Sequence, residues 1–477
     1  MPAETPIRPA VFPDGILLEA EPGKPPLVRV GRNNPAPLSY YQERVWKVDQ
    51  AQGGTAMYNI PFGLRIRGNL DTKALRSSLD DFIQRHEAFR TSFLIQNGSP
   101  RQRVHEAHLA PLEETDLRDM PSDRVEREMR ELGDKEAHWV FDLTAGPPIH
   151  FHLLRIGERE HVLLVNMHHI ISDGWSLNIF KRELPELYTS HVSGRPTRLS
   201  DIPIQYIDYA VWQRDRLRGA VLDHALEYWR ECLRDLPILE TPTDYPRQLT
   251  PCIHAAKCFF KIPAGVTLQL QAAIRQQQAT LFMAMFAMFA WTLHRFTGSH
   301  DVTIGTPMAN RGAPQLTGIV GLFANTLPTR IHLEGVSILR EAVRRAKATV
   351  LGAYQRQEMP YQVLVDEIGP TRPAGRLPFF EVTILETRIV RWPTLGDCTV
   401  EAFSLAPTIP KYDLALEYWE TGGELQGKVT YASERFDKGT IDTLVDVFVQ
   451  LLVNASERGG AATFEDTPIT QVVRPAS

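Results

Sequence analysis

Cysteine is scarce in this 477-residue sequence: Cys232, Cys252, Cys258 and Cys398 are all it has. They are too few and too scattered for a disulfide framework, and no CxxC pair offers zinc a thiolate site. Basic excess is also lacking, since 52 Lys+Arg against 57 Asp+Glu leave a formal charge of −5. No net field therefore draws the chain to nucleic acid or to an anionic membrane surface. No apolar run approaches the roughly 20 residues that a spanning helix needs. The opening MPAETPIRPAVFPDG has neither the basic n-region nor the apolar h-region of a signal peptide. With 43% hydrophobic and 23% charged residues, the chain can build the cores of about two or three domains. The expectation is a cytoplasmic, monomeric enzyme or binding protein.

Three stretches differ in texture. Residues 1–35 are rich in Pro and Gly around two short apolar runs, Ile16-Leu17-Leu18 and Leu27-Val28-Arg29-Val30, separated by Pro22-Gly23-Lys24-Pro25-Pro26. That arrangement reads as a β-hairpin. A lone hairpin is marginal in water, so it must lie on the body of the protein or on a partner. Residues 36–195 alternate helical and strand patterns, and His161-Val162-Leu163-Leu164-Val165-Asn166-Met167 reads as a buried strand. A Pro/Ser/Thr-rich stretch from Ser193 to Pro203 leads into residues 196–477, again mixed. Helices are expected there near 206–236, 265–297, 337–355 and 439–456. Strands are expected near 256–262, 300–306, 379–386, 398–404, 412–420 and 425–431. The fold class is α/β or α+β, with two subdomains.

The sharpest chemical signal is Met167-His168-His169-Ile170-Ile171-Ser172-Asp173-Gly174-Trp175. A histidine at a strand end is held by the sheet yet can face a cleft, which suits a general base. Asp173 can orient an imidazole or anchor the loop to an arginine. Gly174 lets a substrate approach closely. The plain alternative is a pair of satisfied core histidines. A shared metal is disfavoured because neighbouring strand residues point to opposite faces.

HHIISDG resembles the HHxxxDG motif of condensation domains from nonribosomal peptide synthetases, in the chloramphenicol acetyltransferase superfamily. Other segments resemble that family in order: Leu38-Ser39-Tyr40-Tyr41-Gln42-Glu43-Arg44-Val45-Trp46, the RHEAFRTSF run from Arg85 to Phe93, and Tyr206-Ile207-Asp208-Tyr209-Ala210-Val211-Trp212. Then follow the run from Val320 to Arg330, containing Asn325, and Arg376-Leu377-Pro378-Phe379-Phe380-Glu381-Val382. Gln357-Glu358-Met359-Pro360-Tyr361 matches more loosely.

The resemblance implies a V-shaped pseudo-dimer of two chloramphenicol-acetyltransferase-like subdomains, with the active site at their junction and a tunnel to each face. It implies no cofactor and no metal, because the substrate arrives as a thioester on the phosphopantetheine of a carrier protein. His169 would take the acceptor's proton, His168 would support the loop, and the Gly174 N–H would face the reacting carbonyl. Asp173 would pair with Arg311, while Arg85 and Arg90 would hold the fold through ion pairs. Ser172, Trp175 and Asn325 would line the substrate tunnel. No adenylation or carrier region accompanies the motifs, so a freestanding enzyme is expected, releasing an acyl chain onto a small alcohol or amine. The hairpin residues Ile16, Leu18, Leu27, Val28 and Val30 would then dock the carrier protein. The alternatives are an O-acyltransferase using acyl-CoA, a non-catalytic recruitment domain of this fold and, more remotely, an epimerase.

Overall fold

A computed structural model describes residues 26–247, 252, 254–373, 375–388, 391–405 and 409–463. The first half runs β1 (Ala36–Pro37), α1 (Tyr40–Ala51), β2 (Asn59–Arg67), α2 (Thr72–Arg85), β3 (Thr91–Gln96), β4 (Ser99–Val104), β5 (Leu112–Asp116), α3 (Ser122–Ala137), β6 (Ile149–Gly157), β7 (Glu160–His168) and α4 (Gly174–Ser193). The second half runs α5 (Tyr206–Arg216), α6 (Ala220–Cys232), β8 (Ala255–Ile262), α7 (Ala264–Gln276), α8 (Leu281–Thr297), β9 (Asp301–Met308), β10 (Asn325–His332), α9 (Leu339–Gln355) and α10 (Tyr361–Ile368). It ends with β11 (Val382–Glu386), β12 (Thr399–Phe403), β13 (Leu414–Thr421), β14 (Glu424–Ala432) and α11 (Lys438–Arg458).

The first half is built on a five-stranded sheet of order β12-β2-β7-β6-β5, beside a small β1-β4-β3 sheet. Strand β7 is paired on both sides, antiparallel to β2 and β6. That central place explains its nearly continuous apolar run, since both faces are covered. Helices α2 and α4 pack together, and Leu79, Phe82, Ile83, Phe180 and Leu184 share one core with Leu163 and Val165.

The second half carries a six-stranded sheet of order β10-β9-β11-β13-β14-β8. Only β11 is parallel to its neighbours. Its central support is α8, whose residues Met283 to Leu293 are all buried. A helix apolar on every side belongs inside a core, and Thr280 caps it by accepting from the Met283 N–H at 3.2 Å. The single expected helix over 265–297 is thus two helices. They are parted by a turn in which Gln278 takes φ +50° and Thr280 begins again as a cap. Among the described residues no single helix is long and apolar enough to cross a membrane.

Two expectations need correction. Leu27, Val28 and Val30 form no strand. Leu27 leans on the first-half core, and the Val30 N–H donates to Asp208 Oδ1 at 2.7 Å. A side-chain acceptor on α5 satisfies the backbone that a hairpin partner was expected to take. Ile16 and Leu18, on the other expected strand, lie outside the described residues. The division at residues 195 and 196 also does not follow the packing. Strand β12, from the second half, completes the first-half sheet beside β2. Tyr206 and Tyr209 of α5 and Leu316 to Phe323 likewise join the first-half core.

Candidate active site

Strand β7 ends at His168, opposite Asn59 at the start of β2. The next residue, His169, donates its backbone N–H to the Tyr58 carbonyl at 2.7 Å, which fixes the point where the chain leaves the sheet. A tight turn follows. The Ile171 N–H and the Ser172 hydroxyl both donate to the His168 carbonyl at 3.1 Å, and the Ile170 N–H donates to His168 Nδ1 at 3.1 Å. Accepting at Nδ1 makes His168 a neutral ring with its proton on Nε2. Burial, then the charges of His169 and Lys411, push its pKa down to about 3. Its ring is fully buried between Tyr58 and Phe141.

His169 lies in the turn and is half-buried. Its Nδ1 is buried, and the backbone of His169 itself and of Ser172 lies within hydrogen-bonding reach of the ring, so Nε2 is the nitrogen left for a ligand. Burial first, then Lys411, push its pKa down to about 4, with Asp173 pulling the other way. The ring is therefore a free base at neutral pH. Gly174 is exposed, and a Cβ there would meet nothing within 4 Å. Open space thus borders the helix start beside His169.

Asp173 is the hub of the loop. It is the N-cap of α4, and its Oδ1 accepts from the Ser176 N–H and hydroxyl, both at 2.8 Å. Oδ2 accepts from the N–H groups of Phe323 and Ala324 at 3.1 and 3.2 Å. Arg311 Nη2 donates to both oxygens at 3.2 and 3.3 Å. Arg311 is itself held by the carbonyls of Leu316 and Ile319, both at 2.6 Å, and lies over the Phe323 ring at 3.9 Å. Asn310, at φ +52°, turns the chain so that Arg311 faces the loop. Asn tolerates that left-handed conformation better than most residues.

The remaining expected residues sort clearly. Arg85 binds Glu183 at 3.0 Å, and Arg90 binds the His105 carbonyl and lies 3.7 Å from Glu87. Both bond to groups within the first half of the chain, and neither bonds to the histidine turn among the described residues. Trp175 is half-buried with its indole N–H on the Thr317 carbonyl at 2.8 Å. Ser172 and Asn325, expected on a tunnel wall, are instead buried. Ser172 braces the histidine turn, and Asn325 donates to the Gln357 and Met359 carbonyls while accepting from the Tyr361 N–H. Buried polar side chains need such partners, and these segments offer them. Behind Phe323, Tyr206 lies so close to Gly321 that a Cβ there would come within 1.9 Å of its ring.

Two cations near the histidines were not picked out as site residues from sequence. Lys411 Nζ lies 5.3 Å from the Tyr58 ring centroid, and the Arg44 guanidinium lies 4.3 Å from that of Tyr361. Burial, then Arg44, lower the Lys411 ammonium to about 8. Among the described residues, Glu113, Glu136 and His152 form the one cluster with metal-ligand spacing. Glu136 is already shared between His150 and His152, and His152 Nε2 lies 2.8 Å from the Thr115 hydroxyl.

The family model for the condensation domain matches residues 32–464. The chain belongs to the condensation-domain family. This condensation domain is 37% identical over 446 residues to a component of the linear gramicidin synthase of Brevibacillus parabrevis, covering 91% of the chain but 6% of that synthase component. It thus spans only a small part of the curated relative's length. Among solved structures it is similar to the X-domain from teicoplanin biosynthesis in complex with OxyB. That match has a TM-score of 0.84 at 25% identity and covers 94% of this chain and 99% of the other. It is also similar to SgcC5 of Streptomyces globisporus, in complex with (R)-(-)-1-(2-naphthyl)-1,2-ethanediol and sucrose. There the TM-score is 0.72 at 26% identity, with 89% and 100% covered. The α+β architecture of this condensation domain is that of these neighbours, consistent with a pseudo-dimer of chloramphenicol-acetyltransferase-like subdomains.

Proposed function

We propose that this condensation domain moves an acyl chain from the phosphopantetheine thioester of a carrier protein onto a nucleophile held against His169. The observation that carries the reading is the geometry at His169: a half-buried ring at the end of a sheet strand with Nδ1 buried, on the turn that leads to the unobstructed Gly174, and with burial lowering its pKa so that it rests neutral. A thioester is already activated, so the site must place the nucleophile and manage one proton. The acceptor oxygen or nitrogen forms its bond to the thioester carbon as His169 Nε2 takes its proton. The carbon–sulfur bond then breaks, and the imidazolium returns the proton to the leaving thiolate. The Gly174 N–H faces the carbonyl oxygen in this scheme and donates to it as charge develops. Asp173, Arg311, Ser172 and His168 keep the loop in place and do not touch substrate.

The acceptor in this reading is a small soluble molecule joined through a hydroxyl. The SgcC5 complex with a small diol supports it. An alcohol holds its proton too tightly near neutral pH to attack unaided, so it needs a base, and a neutral His169 supplies one. The free thiols of all four cysteines fit work in the reducing cytoplasm.

Intact-protein mass spectrometry of a loaded carrier protein, incubated with the enzyme and a panel of soluble alcohols and amines, tests the proposal. Loss of the acyl mass from the carrier with an alcohol, and not with His169→Ala, is the expected result. Transfer only between two carriers would make it a peptide-elongating step, and equal use of acyl-CoA would make it a general O-acyltransferase. The X-domain resemblance favours one other reading, recruitment of a partner protein. In that case no acceptor would discharge the carrier.

A further inference from the structure

Arg44, on α1, and Lys411, just before β13, come from opposite ends of the chain: Lys411 lies over Tyr58 beside the histidine turn, Arg44 lies over Tyr361, and the Arg44 charge reaches Lys411 and lowers its ammonium. Tyr58 links the groups physically: its carbonyl holds the His169 N–H, its ring neighbours His168, and its face carries Lys411. Tyr361, under Arg44, and Tyr412, next to Lys411 in sequence and 5.9 Å from Phe380, extend an aromatic wall. Both cations are half-buried. Among the described residues neither has a carboxylate within 4 Å or a hydrogen-bond acceptor, whereas most other half-buried arginines here, such as Arg32, Arg214, Arg330 and Arg376, hold one. Lys411 is also destabilised as a cation by its surroundings and by Arg44. Two half-buried like charges near one another, with no counter-ion among the described residues, are a costly arrangement unless an anion joins them during the working cycle. Face-on tyrosines lessen that cost while leaving the ammonium hydrogens free.

We infer that Arg44 and Lys411 form an anion-recognition site beside the histidine turn, which takes the carboxylate of a small acceptor and so holds its nucleophile at His169. The inference rests on the proposed transfer to a soluble acceptor and adds the acceptor's class: a free hydroxy acid rather than a neutral alcohol. The phosphodiester of a phosphopantetheine arm is the other anion that enters such a chamber. It lies a whole pantetheine arm away from the thioester, however, whereas Lys411 lies over Tyr58, whose carbonyl holds the histidine turn.

Two measurements on the full chain test the inference. The first needs no turnover: thermal unfolding in acetate, succinate or inorganic phosphate against chloride at equal ionic strength. Acetate and succinate should raise the wild-type Tm in a concentration-dependent way. Lys411→Met and Arg44→Met should lose that response, and Lys411→Arg should retain part of it. No carboxylate response in the wild type, or an unchanged response in Lys411→Met, overturns the site. Stabilisation by phosphate alone assigns the pair to the carrier arm and overturns the acceptor assignment. The second compares kcat/KM for acceptor acids with their amides. The wild type should prefer the acid by roughly 10-fold or more, the worth of a charge-assisted hydrogen bond. In Lys411→Met the ratio should fall to near one. Equal losses for acid and amide would show that the cation acts on the reacting groups instead. If no acceptor is acylated, the proposed transfer fails, and the unfolding measurement still decides whether the anion site exists.

Discussion

Arg311 and Asp173 meet at 3.2 Å across the two halves of the chain, with side chains only 2% and 1% exposed. The pair spans the junction between the loop after β7 and the segment from Leu316 to Phe323, so the histidine turn cannot shift without disturbing both. Removing one member of a buried pair leaves the other charge uncompensated, which costs about 3–5 kcal/mol. Asp173→Ala should therefore lower stability by that order in urea unfolding. The double variant with Arg311→Met should lose much less than the sum of the two single losses. A fully stable but inactive Asp173→Ala would instead make the carboxylate part of the chemistry.

His169 and His168 should separate cleanly. His169→Ala should lose roughly 10²–10⁴-fold in transfer while its Tm stays near wild type, because the ring is only half-buried and bonds no other side chain among the described residues. His168→Ala strips the acceptor from the Ile170 N–H and empties a sealed site. It should cost about 1–3 kcal/mol, read by denaturant unfolding alongside activity. Near-normal turnover in His169→Ala would show that substrate or water supplies the base.

Acid should weaken the fold through these rings. Their native pKa values, about 4 and about 3, lie below the ordinary value of about 6.5. The unfolded chain thus binds more protons than the native one as pH falls below that value. The stabilisation is complete above about pH 6.5 and is lost progressively on the way down to pH 4 and below. Thermal unfolding between pH 7 and 4 should show this decline, and His168→Asn should flatten it. While the protein stays folded, kcat/KM should not show its acid limb near 6.5. A limb there would mean that the His169 ring titrates as if in water.

Arg32 gives a test of the N-terminal segment. Its guanidinium joins Glu87 at 2.7 Å and Asp208 at 2.7 and 3.0 Å, tying the chain before β1 to α5. Arg32→Met should cost about 1–3 kcal/mol, and deletion of residues 1–34 should show the same loss of Tm. Deletion of residues 1–25 keeps Arg32. If that shorter deletion slows transfer from a carrier protein but not from a small thioester mimic, the segment docks the carrier. Equal rates from both donors would remove the docking role.

What could be read from sequence was whatever chemistry is local. The turn from His168 to Gly174 is seven residues long, so its histidines, carboxylate and glycine stand together in the sequence, whereas the bracing role of Ser172 and the capping role of Asp173 show only in the fold. Arg311 was accessible only through the family resemblance, which implied its pairing with Asp173. Strand β2 was missed because Pro61 and Gly63 spoil its pattern. In the structure Pro61 pairs with Asn166, and Gly63 makes room for Phe403, whose ring would lie 2.8 Å from a Cβ there. Helix α3 was missed because its charged residues mask a narrow apolar stripe around Met129. Lys411 carried no signal of its own. Its meaning comes from Tyr58 and Arg44, which only the folded chain brings to it, and from having no counter-charge among the described residues.

Strand β12 has a consequence for how such proteins can be recombined. It leaves the second half and forms the outer edge of the first-half sheet, pairing from Thr399 with Arg67 to Phe403 with Gly63. A first half cut at residue 196 would display β2 as an open, apolar edge, a template for aggregation. A chimera joined there would press one parent's β2 against another parent's β12, with Gly63 and Phe403 no longer matched. Exchange between relatives should therefore move residues 399–403 together with the first half, or take the whole unit at once.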